Sequence, residues 1–566
     1  MPTLTSSSSQ EMSVLPTVPS WLSWHARRLG RMQGRSEWFL STEERGNPAT
    51  GLSRGRQHPD VPWTTGNLVE PLVHGATYFS RLIDRSSALG AGDQVLLTDW
   101  RGDSDERLGP GGPTLGELLS GLANRDVQVR GLLWRSHPGI FGFSEGEASD
   151  LADIVNDAGG QLLLDARIRR GGSHHQKLVL LLRQGRRDED LAFVGGIDLC
   201  HGRRDDEPHG GDPQAETLDP AFGPRPPWHD IQAEVHGPAV ADLVETFRER
   251  WNDETPLETT GFRFGRVTSP ATNEVMRPDP LPPYDSSPPV AGSHAVQVLR
   301  TYPAKRPPYP FAPRGERSIA RIYSKALARA RSFIYVEDQY FWSEEIASLF
   351  EAALTRSQEL RLIVVVPRHP DRNGMVSGPT NRLGQLTMMD RLAKAGGDRF
   401  AIYDLENEGG DAIYVHAKSV VIDDVFAMIG SDNMNRRSWT HDSELSIAVL
   451  DEEEDEREPR DPAGLGDGAR RFARDLRLRL WREHLGVGSD DGLLDVHEGF
   501  DRWRDAAEAL DAWHERGEKG DRPTGRVRRH SPRPVAAWQR VWAWPLYRTI
   551  VDPDGRPFAL RRSHRF

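Results

Sequence analysis

The feature that most restricts this chain is a repeated set of short signatures. His175-Gln176-Lys177 lies in SHHQKLVLLL, and His416-Ala417-Lys418 lies in YVHAKSVVID. A glycine-led run follows each: Gly195-Gly196-Ile197-Asp198 after the first, Gly430-Ser431-Asp432-Asn433 after the second. A His-Asp pair then closes each half, His229-Asp230 and His441-Asp442. One His-x-Lys is a common accident. Two, with matching flanks in the same order, point to a duplicated unit whose imidazoles and ammoniums meet at one phosphate.

The stretches around the signatures repeat as well. An apolar run VLLTDW ends at Trp100 and its counterpart FIYVEDQYF ends at Phe341. Each is followed by a segment with apolar residues at helical spacing, TLGELLSGLANR and EIASLFEAALTR, and then by VQVRGLLWR or LRLIVVVPR. The last of these is nearly continuous and β-branched, as expected of a strand covered on both faces. Strands alternating with helices predict two similar α/β/α sandwich domains with mixed sheets, related by a pseudo-twofold axis, with the active site at their interface. The expected boundaries are an N-terminal extension at 1–60, Ser-rich and disordered over its first twenty or so residues, a first half at 61–255, a Pro-rich linker at 256–294, a second half at 295–487 and a helical, aromatic extension at 488–566. His201 to Pro227 reads as a loop over the site mouth, and Asp451 to Gly468 as a solvated acidic loop. Phe500, Trp503, Leu510 and Trp513 fall at helical spacing and read as a helix packed on the body. The tail AWQRVWAWPLYRTIV is suited either to packing or to meeting lipid.

Composition narrows the function. Of 566 residues 37% are apolar and 28% charged, so the chain is globular. No apolar run approaches the roughly 20 residues that span a bilayer, and MPTLTSSSSQEMSVLP lacks the form of a secretion signal. The expected location is the cytoplasm, peripheral to a membrane. Cys200 is the single cysteine, a packed residue, so neither a disulfide framework nor a cysteine-rich zinc site is available. The net charge of −12 opposes a protein built on long nucleic acid. The small basic cluster Arg167, Arg169 and Arg170 reads as a solvated face.

The repeated residues suit phosphodiester chemistry. His175 and Lys177, two apart in a strand-like segment, face one way, and so do His416 and Lys418. One imidazole attacks phosphorus and the other protonates the leaving alcohol. Two lysines and nearby amides hold the non-bridging oxygens as charge builds on them. Asn433, with Asp198 at the matching place and Ser431 beside it, are candidates for contact with phosphate, and adjoining glycines let backbone approach an anion. Asp230, and Asp442 or Glu444, are candidates to fix the imidazole tautomers. The chemistry needs neither metal nor cofactor, because lysines and imidazoles supply the positive charge. His174 and His175 do not form a metal pair, since strand neighbours point to opposite faces.

At these residues the chain resembles the phospholipase D superfamily, whose signature is His-x-Lys, four residues, then Asp. The second copy matches fully and ends at Asp423. YVEDQYF from Tyr335 is similar to a segment of the lipid-acting members, with Asp338 in place of Asn. GSDNMNRRS, PWHDIQAEVHGPAV and LWREHLG also resemble eukaryotic-type members. The first copy departs: Leu182, followed by Arg183, stands where the motif Asp belongs, and the resemblance makes that Asp a structural support. The resemblance implies a phosphohistidine intermediate, with His175 as nucleophile, His416 as general acid and then base, and Lys177, Lys418 and Asn433 on phosphate. It implies a monomeric enzyme hydrolysing phospholipid at a membrane surface to phosphatidic acid, with head-group exchange as a side reaction. A cardiolipin-type phosphatidyltransferase, a nuclease and a non-catalytic lipid- or partner-binding module are the alternatives.

Overall fold

The computed structural model describes residues 34–52, 61–136, 145–257, 279–371, 377–563 and 566. The N-terminal Ser-rich segment and most of the Pro-rich linker lie outside these. The first half runs β1 (Thr64–Val73), α1 (Gly75–Ser87), β2 (Gln94–Asp99), α2 (Leu115–Ala123), β3 (Gln128–Trp134), α3 (Glu145–Asp157), β4 (Gln161–Asp165), β5 (Leu178–Leu182), β6 (Leu191–Gly195), β7 (Trp228–His229), β8 (Ile231–His236) and α4 (Ala239–Trp251). The second runs β9 (His294–Tyr302), β10 (Glu316–Arg317), α5 (Ser318–Arg329), β11 (Phe333–Glu337), α6 (Glu344–Arg356), β12 (Arg361–Val365), α7 (Ser377–Gly396), β13 (Phe400–Leu405), β14 (Tyr414–Val415), β15 (Ser419–Ile422), β16 (Phe426–Gly430), α8 (Arg436–Thr440), β17 (Glu444–Asp451) and α9 (Arg471–Leu485). Beyond these come α10 (Val496–Glu515), β18 (Val527–Arg529) and α11 (Ala537–Leu546).

Sheet order makes the duplication visible. Outward from the centre, the second half reads β9-β17-β16-β15-β11-β12-β13, and the first reads β1-β8-β6-β5-β2-β3-β4. The two are the same arrangement, parallel over the outer three strands and antiparallel inward, joined where β1 meets β9. The halves are thus mixed α/β/α sandwiches sharing one continuous sheet. In each, alternate strand residues face opposite helix layers. Val95, Leu97, Val129 and Val179 face α1, α2 and α3, whereas Leu96, Leu132, Leu178 and Leu182 belong to a core shared by α4, α9 and α10. α10 buries Phe500, Trp503 and Leu510, and Trp503 packs on Tyr403, Trp481 and Tyr335. β18 then extends the sheet beside β13.

One expectation changes and one departure finds its explanation. Arg167 is buried, not solvated: it pairs with Asp165 at 2.9 Å and donates to the carbonyls of Asp253 and Arg250. And the missing motif aspartate is compensated. In the second half Asp423 and Asp424 form a tight turn at positive φ, and the Asp423 carboxylate accepts from the backbone N–H of Arg331, Ser332 and Phe333 at 2.8–2.9 Å, tying the hairpin to the start of β11. In the first half the β5–β6 connection is longer, from Arg183 to Asp190. Asp93, just before β2, reaches the other way and accepts from Gln184 N at 2.8 Å. The same two segments are joined with donor and acceptor exchanged.

Candidate active site

Both His-x-Lys segments lie immediately before a strand, β5 or β15, rather than within it. Each follows directly on a bridge across the halves. β14 pairs in parallel with β7, with Val415 opposite His229, and His174 forms a parallel bridge with Ser443. The residue after each bridge is a motif histidine on one side and a carboxylate on the other. His416 Nδ1 lies 2.6 Å from Asp230 Oδ2, and His175 Nδ1 lies 2.9 Å from Glu444 Oε2. Each imidazole therefore takes its carboxylate from the opposite half.

This geometry corrects the sequence alignment of the His-Asp pairs. Gly195 stands opposite Gln232 on β8, and its counterpart Gly430 stands opposite Ser446 on β17. Two residues back from these lie Asp230 and Glu444, so Glu444, not Asp442, is the counterpart of Asp230. Asp442 instead accepts from Ser173 N at 2.9 Å and from Arg437 Nε at 2.7 Å. His441 ends α8, while His229 is buried with its Nε2 hydrogen-bonded to Glu337 at 2.9 Å. Ser431 turns inward: its hydroxyl donates to Glu444 at 2.6 Å, and its carbonyl lies 3.1 Å from His175 Nδ1.

The lysines differ. Lys177 Nζ donates to the His175 carbonyl at 3.1 Å and pairs with Asp198 at 2.8 Å. Lys418 Nζ donates to the His416 carbonyl and to Gln339 Oε1, the latter at 3.3 Å, and has no carboxylate within ion-pair distance among the described residues. Asn433, at the place of Asp198, keeps a buried amide oxygen without a hydrogen bond among the described residues. Asp338, noted in the YVEDQYF segment, and Asp99, which the motif reading missed, hold these turns: Asp338 accepts from Tyr340, Phe341 and Met434 N, and Asp99 from Trp100 and Leu199 N. Their shared place after matching strands was the available signal. Trp228 lies 5.0 Å from the His416 ring, with Arg203 over its other neighbourhood at 4.0 Å, and Phe222 and Tyr414 pack beside it. The segment from His201 to Pro227 thus covers the His416 side of the site.

Burial and then the adjacent lysine hold both imidazoles well below the ordinary histidine range. Lys418 also lowers His175, and Lys177 lowers His416, so the two motifs act on one another across the interface. Burial, followed by the charge of Asp442, pushes the Glu444 carboxyl up to about 8. Burial lowers Lys418 to about 8, against the raising effect of Asp230. Two imidazoles and two lysines coupled across the interface are suited to holding an anion and to moving protons to and from a bound group.

Comparison with known proteins bears on the family. A family model described as phospholipase D matches residues 104–348, and one described as cardiolipin synthase, phospholipase D-like domain, matches residues 323–457. The chain belongs to the phospholipase D superfamily. Among its relatives, phospholipase D alpha 1 of Ricinus communis is 25% identical over 76% of this chain and 66% of its own length. Phospholipase D A of Dictyostelium discoideum is 28% identical over 56% of this chain and 27% of its own length. The crystal structure of phosphatidylserine synthase from Haemophilus influenzae Rd KW20 aligns with a TM-score of 0.48 and 14% identity, over 68% of this chain and 82% of that one. The chain spans at most about two thirds of the first plant relatives. No described helix is long and apolar enough to cross a membrane.

Proposed function

We propose that the protein is a phospholipase D-type phosphodiesterase that converts phospholipids to phosphatidic acid through a phosphohistidine. The observation that carries the reading is the crossed pair of carboxylate–imidazole contacts, Asp230 with His416 and Glu444 with His175. Each contact occupies Nδ1 and leaves Nε2 to the substrate. The His175 side chain is the more open, 15% exposed against 6% for His416, which supports it as nucleophile. His175 Nε2 attacks phosphorus, the P–O bond to the head group breaks, and His416 gives its proton to the leaving oxygen. Water then donates a proton to His416 and attacks phosphorus, breaking the P–N bond and releasing His175. The anionic phosphate favours imidazolium at His416, offsetting the lysines that lower it in the free protein. Lys177, Lys418 and Asn433 stabilise the non-bridging oxygens. A small alcohol in place of water gives the exchanged phosphatidyl product. The substrate is met at a membrane surface by a monomeric protein.

The test is incubation with mixed phospholipid vesicles and a trace primary alcohol, read by mass spectrometry. Phosphatidic acid with the phosphatidyl-alcohol is expected, and both are lost in His175→Ala and His416→Ala. Full activity in either variant would sink the two-histidine scheme.

A further inference from the structure

Behind His416, and separate from the phosphate-facing groups, four side chains converge from distant parts of the chain. They are the buried His74 at the start of α1, the buried His209, the buried His229 on β7, and the half-buried Glu483 near the end of α9. Their donor atoms all lie within 4.8 Å of one another. Glu483 Oε2 is 3.0 Å from His74 Nε2, and Glu483 Oε1 is 3.2 Å from His209 Nε2 and 3.8 Å from His229 Nδ1.

Hydrogen bonding around the cluster sets which nitrogens carry protons. His209 Nδ1 lies 3.0 Å from the Trp228 carbonyl, an acceptor only, so it carries the proton and leaves a lone pair on Nε2. His229 Nε2 lies 2.9 Å from Glu337, so its Nδ1 is the bare nitrogen, and it is buried with no hydrogen-bond partner among the described residues. Glu337 is otherwise engaged by His484 at 2.8 Å and the Tyr335 hydroxyl at 2.7 Å. With both imidazoles neutral, two lone pairs face a carboxylate that offers only lone pairs, so either an added proton or a cation must lie between them. Buried acceptors aimed at one another are costly unless a cation lies between them. Outer hydrogen bonds from one imidazole nitrogen to a carbonyl or carboxylate are also what orient metal-ligating histidines.

We propose that His74, His209, His229 and Glu483 bind one divalent transition-metal ion of the zinc type. Three imidazoles and a carboxylate match the donor preference of zinc over calcium or magnesium. Tetrahedral zinc with bonds of about 2.0–2.1 Å separates its ligand atoms by roughly 3.3 Å, within the range of the contacts to Glu483. Four protein ligands make a closed, structural site. It fastens the first half to α9, and its effect reaches the candidate active site, because the His229 carbonyl accepts from His416 N at 2.8 Å and Asp230 is the next residue. The inference rests on the cluster alone and not on the choice of substrate.

The test is elemental analysis of the full chain produced in zinc-supplemented medium, followed by chelation and titration with Co²⁺. One zinc per chain is expected. The stripped protein should melt at lower temperature, recover on adding zinc, and give the visible absorption of tetrahedral cobalt. Glu483→Gln and His209→Gln should lose the ion. A protein that retains no metal and gives no cobalt spectrum would leave the cluster held by protons and overturn the proposal. Metal that stays stoichiometric in both variants would place the ion elsewhere and overturn it equally. Neither readout depends on phosphodiester turnover.

Discussion

The Asp230 carboxylate lies 2.6 Å from Nδ1 of His416, a residue of the other half, and Glu444 returns the contact to His175 at 2.9 Å. The exchange is a product of the two parallel bridges, Val415 with His229 and His174 with Ser443, each of which sets a histidine beside a carboxylate. A carboxylate in this position holds the tautomer and stabilises the imidazolium. Asp230→Asn and Glu444→Gln keep the shape and lose the ionisable carboxyl. Each is expected to lower kcat on the order of 10²–10⁴-fold with little change in KM or folding. Steady-state kinetics with circular dichroism checks this; an unchanged kcat in both would remove the carboxylates from the mechanism.

The pH profile should carry an alkaline limb near pH 8. Lys418, lowered to about 8 by burial, is charged below that pH and neutral above it, so phosphate binding weakens as pH rises. In Lys418→Arg the charge persists, and the limb is expected to move upward in whatever activity remains. A limb that stays in place assigns it to Glu444, which burial raises to about 8 and which ionises over the same range.

Asp423 is expected to matter for stability more than for chemistry. Three backbone N–H groups depend on its carboxylate. Asp423→Leu copies the residue found at Leu182 but leaves those donors unmet at a turn with φ of 54°. The cost is on the order of 3 kcal/mol, from orphaned donors and a left-handed conformation that leucine disfavours. Asp423→Asn retains an acceptor and should lose much less. Urea denaturation separates the two.

Burial raises the Asp423 carboxyl to about 6 against 3.8 for the free side chain. A raised folded-state value means that its contribution to stability is fully present at low pH and lost as pH rises through about 6. Asp423→Asn should therefore flatten the stability profile between about pH 4 and 7. Denaturation midpoints measured across that interval test it; an unchanged slope would count against a protonated Asp423 below pH 6.

Gly430 is expected to tolerate no side chain. A Cβ there would fall 1.8 Å from Ser446 Oγ and 2.7 Å from its Cα, on the neighbouring strand. Gly430→Ala forces β16 from β17, next to Ser431 and Asn433, at a cost of at least about 1–3 kcal/mol. Thermal melting should fall, and wild-type melting would mean that this strand pair is looser than its ladder.

The repeat was legible because duplication marks residues that no single motif can. His175, Lys177, His416 and Lys418 stand out that way, and alternating strands and helices foretold the mixed sandwiches. The partner of His175 was harder. His441-Asp442 imitates His229-Asp230 in sequence, but only the ladder, with Gly430 opposite Ser446, makes Glu444 the counterpart of Asp230. Leu182 was readable as a loss, whereas its compensation by Asp93 was not, because donor and acceptor change sides. Arg167 looked solvated because sequence does not reveal that Asp165 and α4 enclose it. His74, His209, His229 and Glu483 have no common spacing; the histidines meet through the folding of the first half, and Glu483 joins them only when α9 packs against it.

Crossed wiring also sets the moment at which the molecule becomes competent. The carboxylate for His175 is supplied 269 residues later in the chain, by Glu444. A ribosome-bound nascent chain that has completed its first half therefore holds an imidazole with no counter-charge, and a second half cut free of the first lacks Asp230 in the same way. Under the proposed function, neither imidazole has its carboxylate until synthesis has passed β17 and both halves have closed.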